Sequence, residues 1–257
     1  MENSLAPWIG ALRHSHDHLQ AVVAPLDLGQ LQQRSYCSEW SIAQVVSHLG
    51  SQAEIWSLFL DAGLAGREPP GQEEFGPIWA AWNAKDPQAQ AADGLRADGA
   101  TLERFESLDA DQRARLRLRV FGMDADAVGL ARMRLGEHAI HTWDVAVALD
   151  PSATVAPDAV NLLIDTLGQL AGWVGKPDGR QRTLRIRTTD PERHFVLQTG
   201  TDVTLTAADG KDGPPDLRLP AEAFIRLVYG RLDPAHTPPV ENGGADLGEL
   251  RQLFPGL

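Results

Sequence analysis

The stretch Asp124–Leu149, DADAVGLARMRLGEHAIHTWDVAVAL, decides the fold. Its apolar residues return every three or four positions, the period of one helical face, and Pro151 stands just past its end. Glu137 and His141 are four residues apart, so both leave the same side of that helix one turn from each other. They share an arc with Leu130, Met133, Ile140, Val145, Val147 and Ala148. A carboxylate on a core-facing arc needs a partner, because an unpaired buried charge is expensive. A divalent metal would satisfy both side chains, and so would a buried hydrogen-bonded pair. His138 points roughly a quarter-turn away and is the weaker candidate.

Three more segments of the same kind lie upstream. Leu5 to Val23 is apolar at helical spacing until Pro25 interrupts it. Ser41 and Gln44 form the Ser-x-x-Gln pattern of a capping box, and the helix they open runs through Val45, His48, Ile55 and Phe59 to Gly63 and Gly66. A loop with Pro69-Pro70-Gly71 follows, then a helical region from about Ile78 to Leu108 with a break near Pro87. Four amphipathic segments predict an antiparallel bundle over residues 1–151. His48 lies on the arc of Val45, Ile55 and Phe59 and offers a third ligand. Two histidines and a carboxylate suit zinc or, in facial form, iron, although a single histidine on an apolar face is more often a core histidine.

After Pro151 the texture changes. Pro157 to Val174 reads as a helix, and Thr183–Thr188, His194–Gln198 and Val203–Ala207 as antiparallel strands. Asp209-Gly210 and Asp212-Gly213-Pro214-Pro215 are turn chemistry. Pro220–Tyr229, with proline in its first turn, and Ala245–Phe254 read as closing helices. The expected class is α+β: a four-helix bundle over 1–151, then a small α+β domain over 152–257.

Composition limits the partners. The 257 residues carry Lys+Arg 23 against Asp+Glu 35, a net charge of −12. Binding along a phosphate backbone needs clustered cations, and an anionic membrane surface is disfavoured by the same sign. Cys37 is the single cysteine, which excludes an internal disulfide and a multi-cysteine metal site. No apolar run spans a bilayer and no secretory signal is visible at the N-terminus, so a reducing cytoplasm is the expected compartment and a monomer the default state, a dimer being possible.

The run Trp40-Ser41-Ile42-Ala43-Gln44-Val45-Val46-Ser47-His48-Leu49 resembles the W-(S/T)-x-x-x-(V/L)-x-x-H-L signature of the DinB-like, mycothiol-dependent maleylpyruvate isomerase family. Glu137 to Ala146 resembles that family's E-x-x-x-H-x-W-D-(V/I)-A signature, and Gly230-Arg231 resembles a motif of its C-terminal domain. The resemblance covers nearly the whole chain. It implies His48, Glu137 and His141 as metal ligands, zinc as the usual metal, and mycothiol as a thiol co-substrate. A metal-held thiol ionises at neutral pH and attacks a small electrophile, giving isomerisation or S-transfer. A non-catalytic metal or ligand module and an enzyme using metal-bound water are the other readings.

Around that set, Asp144 lies on the ligand face and is a candidate catalytic residue, either orienting His141 or contacting the substrate, the other reading being a capped surface-edge carboxylate near the helix end. Gln52, one turn after His48, is a candidate for cofactor binding. Arg231, and with less support Arg226, could hold a carboxylate bidentately; an arginine after a helix-terminal glycine also satisfies end carbonyls. Trp40 and Trp143 are expected to pack the bundle, and Trp143 to meet the C-terminal domain. His14, His16 and His18 diverge around a helix and are expected to face solvent, and Cys37 is expected to be structural. The loops Arg67–Gly76 and Asp209–Pro215 are expected to line the substrate cleft.

Overall fold

The computed structural model describes residues 4–210 and 213–256. It divides into two compact units, Met1–Thr154 and Val155–Leu257.

The first unit is built on four long helices. They are α1 (Ala6–Val23), α3 (Ile42–Ala65), α5 (Pro87–Glu106) and α7 (Ala127–Leu149), with short α2 (Leu28–Leu31), α4 (Gln72–Asn83) and α6 (Ala110–Arg115) between them. Three of these four starts are set by side chains that take an orphan amide. Ser41 does so for α3, with Gln44 completing the capping box, and Asp86 and Asp126 do so for α5 and α7. Gly66, at φ +62°, ends α3 in the left-handed conformation that glycine adopts without strain. The region expected as one broken helix is two, because Asp86 and Pro87 start a new one. A small hairpin, β1 (Leu118–Val120) and β2 (Met123–Ala125), precedes α7 and had no clear sequence signal.

Helix α3 packs on α5 and α7, and α1 packs on the same two. Helices α1 and α3, which follow one another among the long helices, therefore occupy opposite corners. Leu19, Ile42, Val45, Val46, Leu49 and Val145 fill the centre and are fully buried. Each such side chain contributes about 1.5–3 kcal/mol by leaving water. Helices α3 and α5 approach closely at Gly50 and Gly94: a Cβ on Gly94 would lie 2.5 Å from the Val46 carbonyl oxygen.

The second unit contains α8 (Pro157–Leu163), α9 (Leu167–Val174), α10 (Ala221–Val228) and α11 (Leu247–Leu253). A short 3-10 turn, Ile164–Thr166, divides the predicted first helix into α8 and α9. Strands β3 (Arg182–Thr189), β4 (Arg193–Thr199), β5 (Val203–Ala207), β6 (Leu217–Pro220) and β7 (Glu241–Asn242) form a sheet in the order β5-β4-β3-β6-β7. The expected antiparallel β3-β4-β5 meander is there, but β6 joins β3 in parallel, so the sheet is mixed. Pro220 precedes α10 instead of opening its first turn. Among the described residues, no helix is long and apolar enough to cross a membrane.

Candidate metal centre

The α3 capping box fixes where that helix begins, and His48 follows two turns in. On α7, Glu137 and His141 rise from one face. The fold brings the three together: His48 Nε2 lies 3.7 Å from Glu137 Oε2, and His141 Nε2 lies 3.8 Å from the same oxygen. The imidazoles meet edge to face, with ring centroids 4.8 Å apart. These separations are too long for hydrogen bonds. They are close to the ~3.4 Å expected between two ligand atoms at ~2.1 Å around one tetrahedral ion. His48 Nε2 is buried and has no hydrogen-bond partner among the described residues, a cost that an ion at this position would remove. Two nitrogens and one oxygen within 4.8 Å therefore fit a divalent cation.

The electrostatics agree with that geometry. Burial alone would raise the Glu137 carboxyl, but adjacent His48, His141 and the Arg134 charge outweigh it and hold the group at about 2. Glu137 is thus a carboxylate at neutral pH. Burial lowers His48, against the attraction of Glu137, and so favours its neutral, ligating form.

Asp144 is fully buried and accepts a hydrogen bond from His141 Nδ1 at 2.9 Å. With Nδ1 carrying the proton, Nε2 keeps a bare lone pair toward Glu137. Cys37 Sγ donates to the same Asp144 oxygen at 3.1 Å, and the Tyr36 amide donates to the Asp144 carbonyl. The structure therefore gives Asp144 the orienting geometry, not that of an exposed helix-end carboxylate. Cys37 belongs to this chain of contacts.

Trp40 departs from expectation. It does not pack into the bundle core; it remains 36% exposed, with its ring centroid 5.0 Å from His48 and 6.2 Å from His141. It walls the imidazoles on one side. Trp143 is buried, packs against Tyr36, and donates its indole N–H to the Ala153 carbonyl. Gln52 is half-buried on α3, one turn past His48.

Arg231 belongs to the second unit. It follows Gly230, whose φ of +72° and 2.3 Å approach of a would-be Cβ to the Gly256 nitrogen require glycine there. The Arg231 guanidinium donates to the Tyr229 carbonyl, the helix-end arrangement weighed as its alternative. Arg226 is buried, forms a bidentate pair with Glu222, and donates to the Arg231 and His236 carbonyls. Those bonds make it a strut of its own unit. Of the two expected cleft loops, Arg67–Gly76 already enters α4 at Gln72, and Lys211 and Asp212 of the other lie outside the described residues.

A second cluster is drawn from three helices and has no local sequence signal. His16, expected to face solvent with His14 and His18, is buried while the other two are exposed. Its Nδ1 donates to Asp98 Oδ2 at 2.6 Å, and His138 Nε2 donates to the same oxygen at 2.7 Å. Arg134 Nη2 donates to Asp98 Oδ1 at 2.6 Å. These distances are hydrogen bonds and are too short for two ligands sharing an ion. A fixed guanidinium on the carboxylate also opposes a second cation. Although these ligand-type groups stand close enough together to suggest a metal, we read them as a proton-linked charge network.

Residues 12–146 match the family model described as the mycothiol maleylpyruvate isomerase N-terminal domain. Two solved structures resemble the chain over its length: a crystal structure of the mycothiol-dependent maleylpyruvate isomerase and one of a histidine-to-alanine mutant of it. Each has a TM-score of 0.68, with identities of 15% and 14%, covering 95% of this chain and 95% of that chain. At that identity they show a shared fold and no more. No curated protein matches the sequence.

Proposed function

The chain belongs to the mycothiol maleylpyruvate isomerase N-terminal domain family, and from that premise we propose a metal-dependent enzyme that uses mycothiol to isomerise or S-thiolate a small electrophile. The observation that carries the metal is the convergence of His48 Nε2, Glu137 Oε2 and His141 Nε2 at separations fitting shared ligation and not hydrogen bonding. His48, Glu137 and His141 would hold the ion, zinc being the best match to the donor set. When bound, such an ion lowers the pKa of a coordinated thiol and so supplies a nucleophile that the chain's own Cys37 does not.

The remaining residues have physical tasks around that centre. Glu137, ionised throughout the neutral range, brings one negative charge to the ion. Asp144 holds His141 in the tautomer that exposes Nε2. Trp40 covers the imidazoles with an apolar ring and keeps bulk water from one side. We assign Gln52 to thiol-cofactor binding, and Arg231 to cofactor binding and to pairing with a substrate carboxylate. The planar fork of Arg231 suits that pairing better than a lysine would. We take residues 1–151 as the metal-binding part and 152–257 as the part that carries Arg231.

Metal analysis combined with spectroscopy tests this reading. The purified protein is expected to bind about one zinc per chain, with binding lost in His48→Ala. Mycothiol is expected to add a sulfur-to-metal charge-transfer band to a cobalt-substituted sample. Protein that stays metal-free when zinc is supplied would refute the metal centre. A cobalt spectrum unchanged at millimolar mycothiol would refute the thiol and leave a water-based or purely binding role.

A further inference from the structure

Behind the candidate ligands lies a charged network that a bundle core does not require. Asp98 on α5 is 4% exposed, Arg134 on α7 is 2% exposed, His138 is wholly buried and His16 on α1 is 5% exposed. Asp98 accepts from His16, His138 and Arg134. Arg134 Nη2 also donates to the Leu49 carbonyl on α3 at 3.1 Å. His138 Nδ1 accepts from the Ser15 hydroxyl at 2.8 Å, and Ser15 lies 3.3 Å from Thr142. One carboxylate thereby ties all four long helices together.

The ties fall beside the candidate metal ligands. Leu49 follows His48 in α3, while Arg134 and His138 stand one turn before Glu137 and next to it in α7. A bond from Arg134 to the Leu49 carbonyl fixes the α3-to-α7 spacing at the level where His48 faces Glu137 and His141. Close backbone packing at Gly50 and Gly94, one turn from Asp98, holds α3 against α5 at the same level.

Stability alone does not account for such a network. A buried ion pair often gives no net gain over apolar side chains of the same volume. This one also leaves Arg134 Nη1 buried without a partner among the described residues, which adds a desolvation cost. What the network supplies that leucines would not is directional geometry, fixed by hydrogen bonds at four helices.

We propose that Asp98 is a positioning residue that, through Arg134, sets the separation of His48 from Glu137 and His141 and thereby the affinity and geometry of the metal site. The inference rests on the proposed metal centre. By this reading the network binds no ion itself and acts only through the helices that it ties.

The test uses the full chain and four proteins: wild type, Asp98→Asn, Arg134→Met, and Leu102→Ala. Leu102 is a buried apolar residue of α5 outside the network, so its variant reports general loosening of the bundle. Zinc affinity is measured by competition with a chromophoric chelator, and ligand geometry from the d–d bands of the cobalt form. Asp98→Asn and Arg134→Met are each expected to weaken zinc about 10- to 100-fold, the range for supporting residues around a metal, and to shift the cobalt bands. Leu102→Ala is expected to bind zinc as wild type does, despite a lower Tm. If Asp98→Asn fails to fold, Arg134→Met decides, since it removes the Leu49 tie and leaves both histidines on Asp98. Folded variants with wild-type affinity and unchanged bands would overturn the inference while leaving the metal centre standing. So would a Leu102→Ala variant that loses zinc as much as Asp98→Asn does. Wild-type protein that binds no zinc would remove the metal centre, and the inference with it.

Discussion

Asp98 is a buried carboxylate and Glu137 a half-buried one, yet only Glu137 could be read from the sequence. Glu137 announces itself by its i,i+4 spacing to His141 on an apolar arc. Asp98 sits in the largely polar stretch Pro87–Glu106, and its partners come from α1 and α7, so no local pattern marks it. His16 was missed for a related reason. The three alternating histidines do diverge, but the arc of Leu12, Ser15 and Leu19 carries the middle one inward. The acid stability of the protein tests Asp98. Burial would raise its carboxyl, but His138, Arg134 and His16 hold it well below the usual carboxylate range. A group lowered by folding stabilises the native state at every pH above its unfolded value, about 3.9. That stabilisation fades as pH falls through the folded value. Near neutral pH Asp98→Asn is expected to cost about 3–5 kcal/mol, because it strands the Arg134 charge. The gap from wild type should narrow below about pH 4, where the unfolded chain takes up the proton before the native one does. Denaturant midpoints measured from pH 2 to 7 would show it; a gap that stays constant across that range would mean that folding does not lower the Asp98 carboxyl.

Among the elements, those with strong local codes were legible and those made by long-range pairing were not. Helix α3 starts at the predicted Ser41–Gln44 box, and α1 and α7 cover their apolar arcs. Strand β6 has only four residues, with Pro215 just before it and Pro220 at its end, and it is created by its parallel register with β3. No period-2 run of useful length exists there to find. The α3–α5 contact is likewise invisible locally, since Gly50 and Gly94 look like weak points in helices until the backbones are seen to touch. Replacing an interior helical glycine by alanine normally stabilises by about 0.5–1 kcal/mol. At Gly94 the new Cβ would meet the Val46 carbonyl oxygen at 2.5 Å and the Val46 side chain at 2.8 Å. Backbone cannot swing aside as a long side chain does, so overpacking at about 1–3 kcal/mol or more should win. Gly94→Ala is expected to lower the denaturant midpoint and, by pushing α3 outward near His48, to weaken zinc as well. A Gly94→Ala protein more stable than wild type would show that the two helices separate without cost.

For the whole molecule, the governing fact is a net charge of −12 in a protein proposed to handle carboxylated electrophiles. A field of that sign slows the approach of anions, so a carboxylate must be drawn by local cations: the ion proposed for His48, Glu137 and His141, and an arginine. Among the described arginines of the second unit, several are committed to acids, as Arg226 is to Glu222, Arg193 to Asp165 and Arg187 to Glu192. The Arg231 guanidinium donates to the Tyr229 carbonyl. The sequence motif Gly230-Arg231 singles it out. The prediction follows from chemistry. Arg231→Lys keeps the charge and loses the bidentate fork, and Arg231→Ala loses both. With a carboxylated electrophile, KM should rise about 10-fold or more for Lys and further for Ala, since one charge-assisted hydrogen bond is worth about 1.5–3 kcal/mol. With an uncharged electrophile the losses should be smaller, reflecting only the part Arg231 plays in holding the thiol, and zinc stoichiometry should not change, because Arg231 is not among the proposed ligands. The carboxylate effect should also shrink in salt, as screening weakens the pair. Equal losses with charged and uncharged substrates would leave Arg231 with thiol binding or with bracing the end of α10 through Tyr229, and the cation that receives the carboxylate would have to be sought elsewhere in the chain.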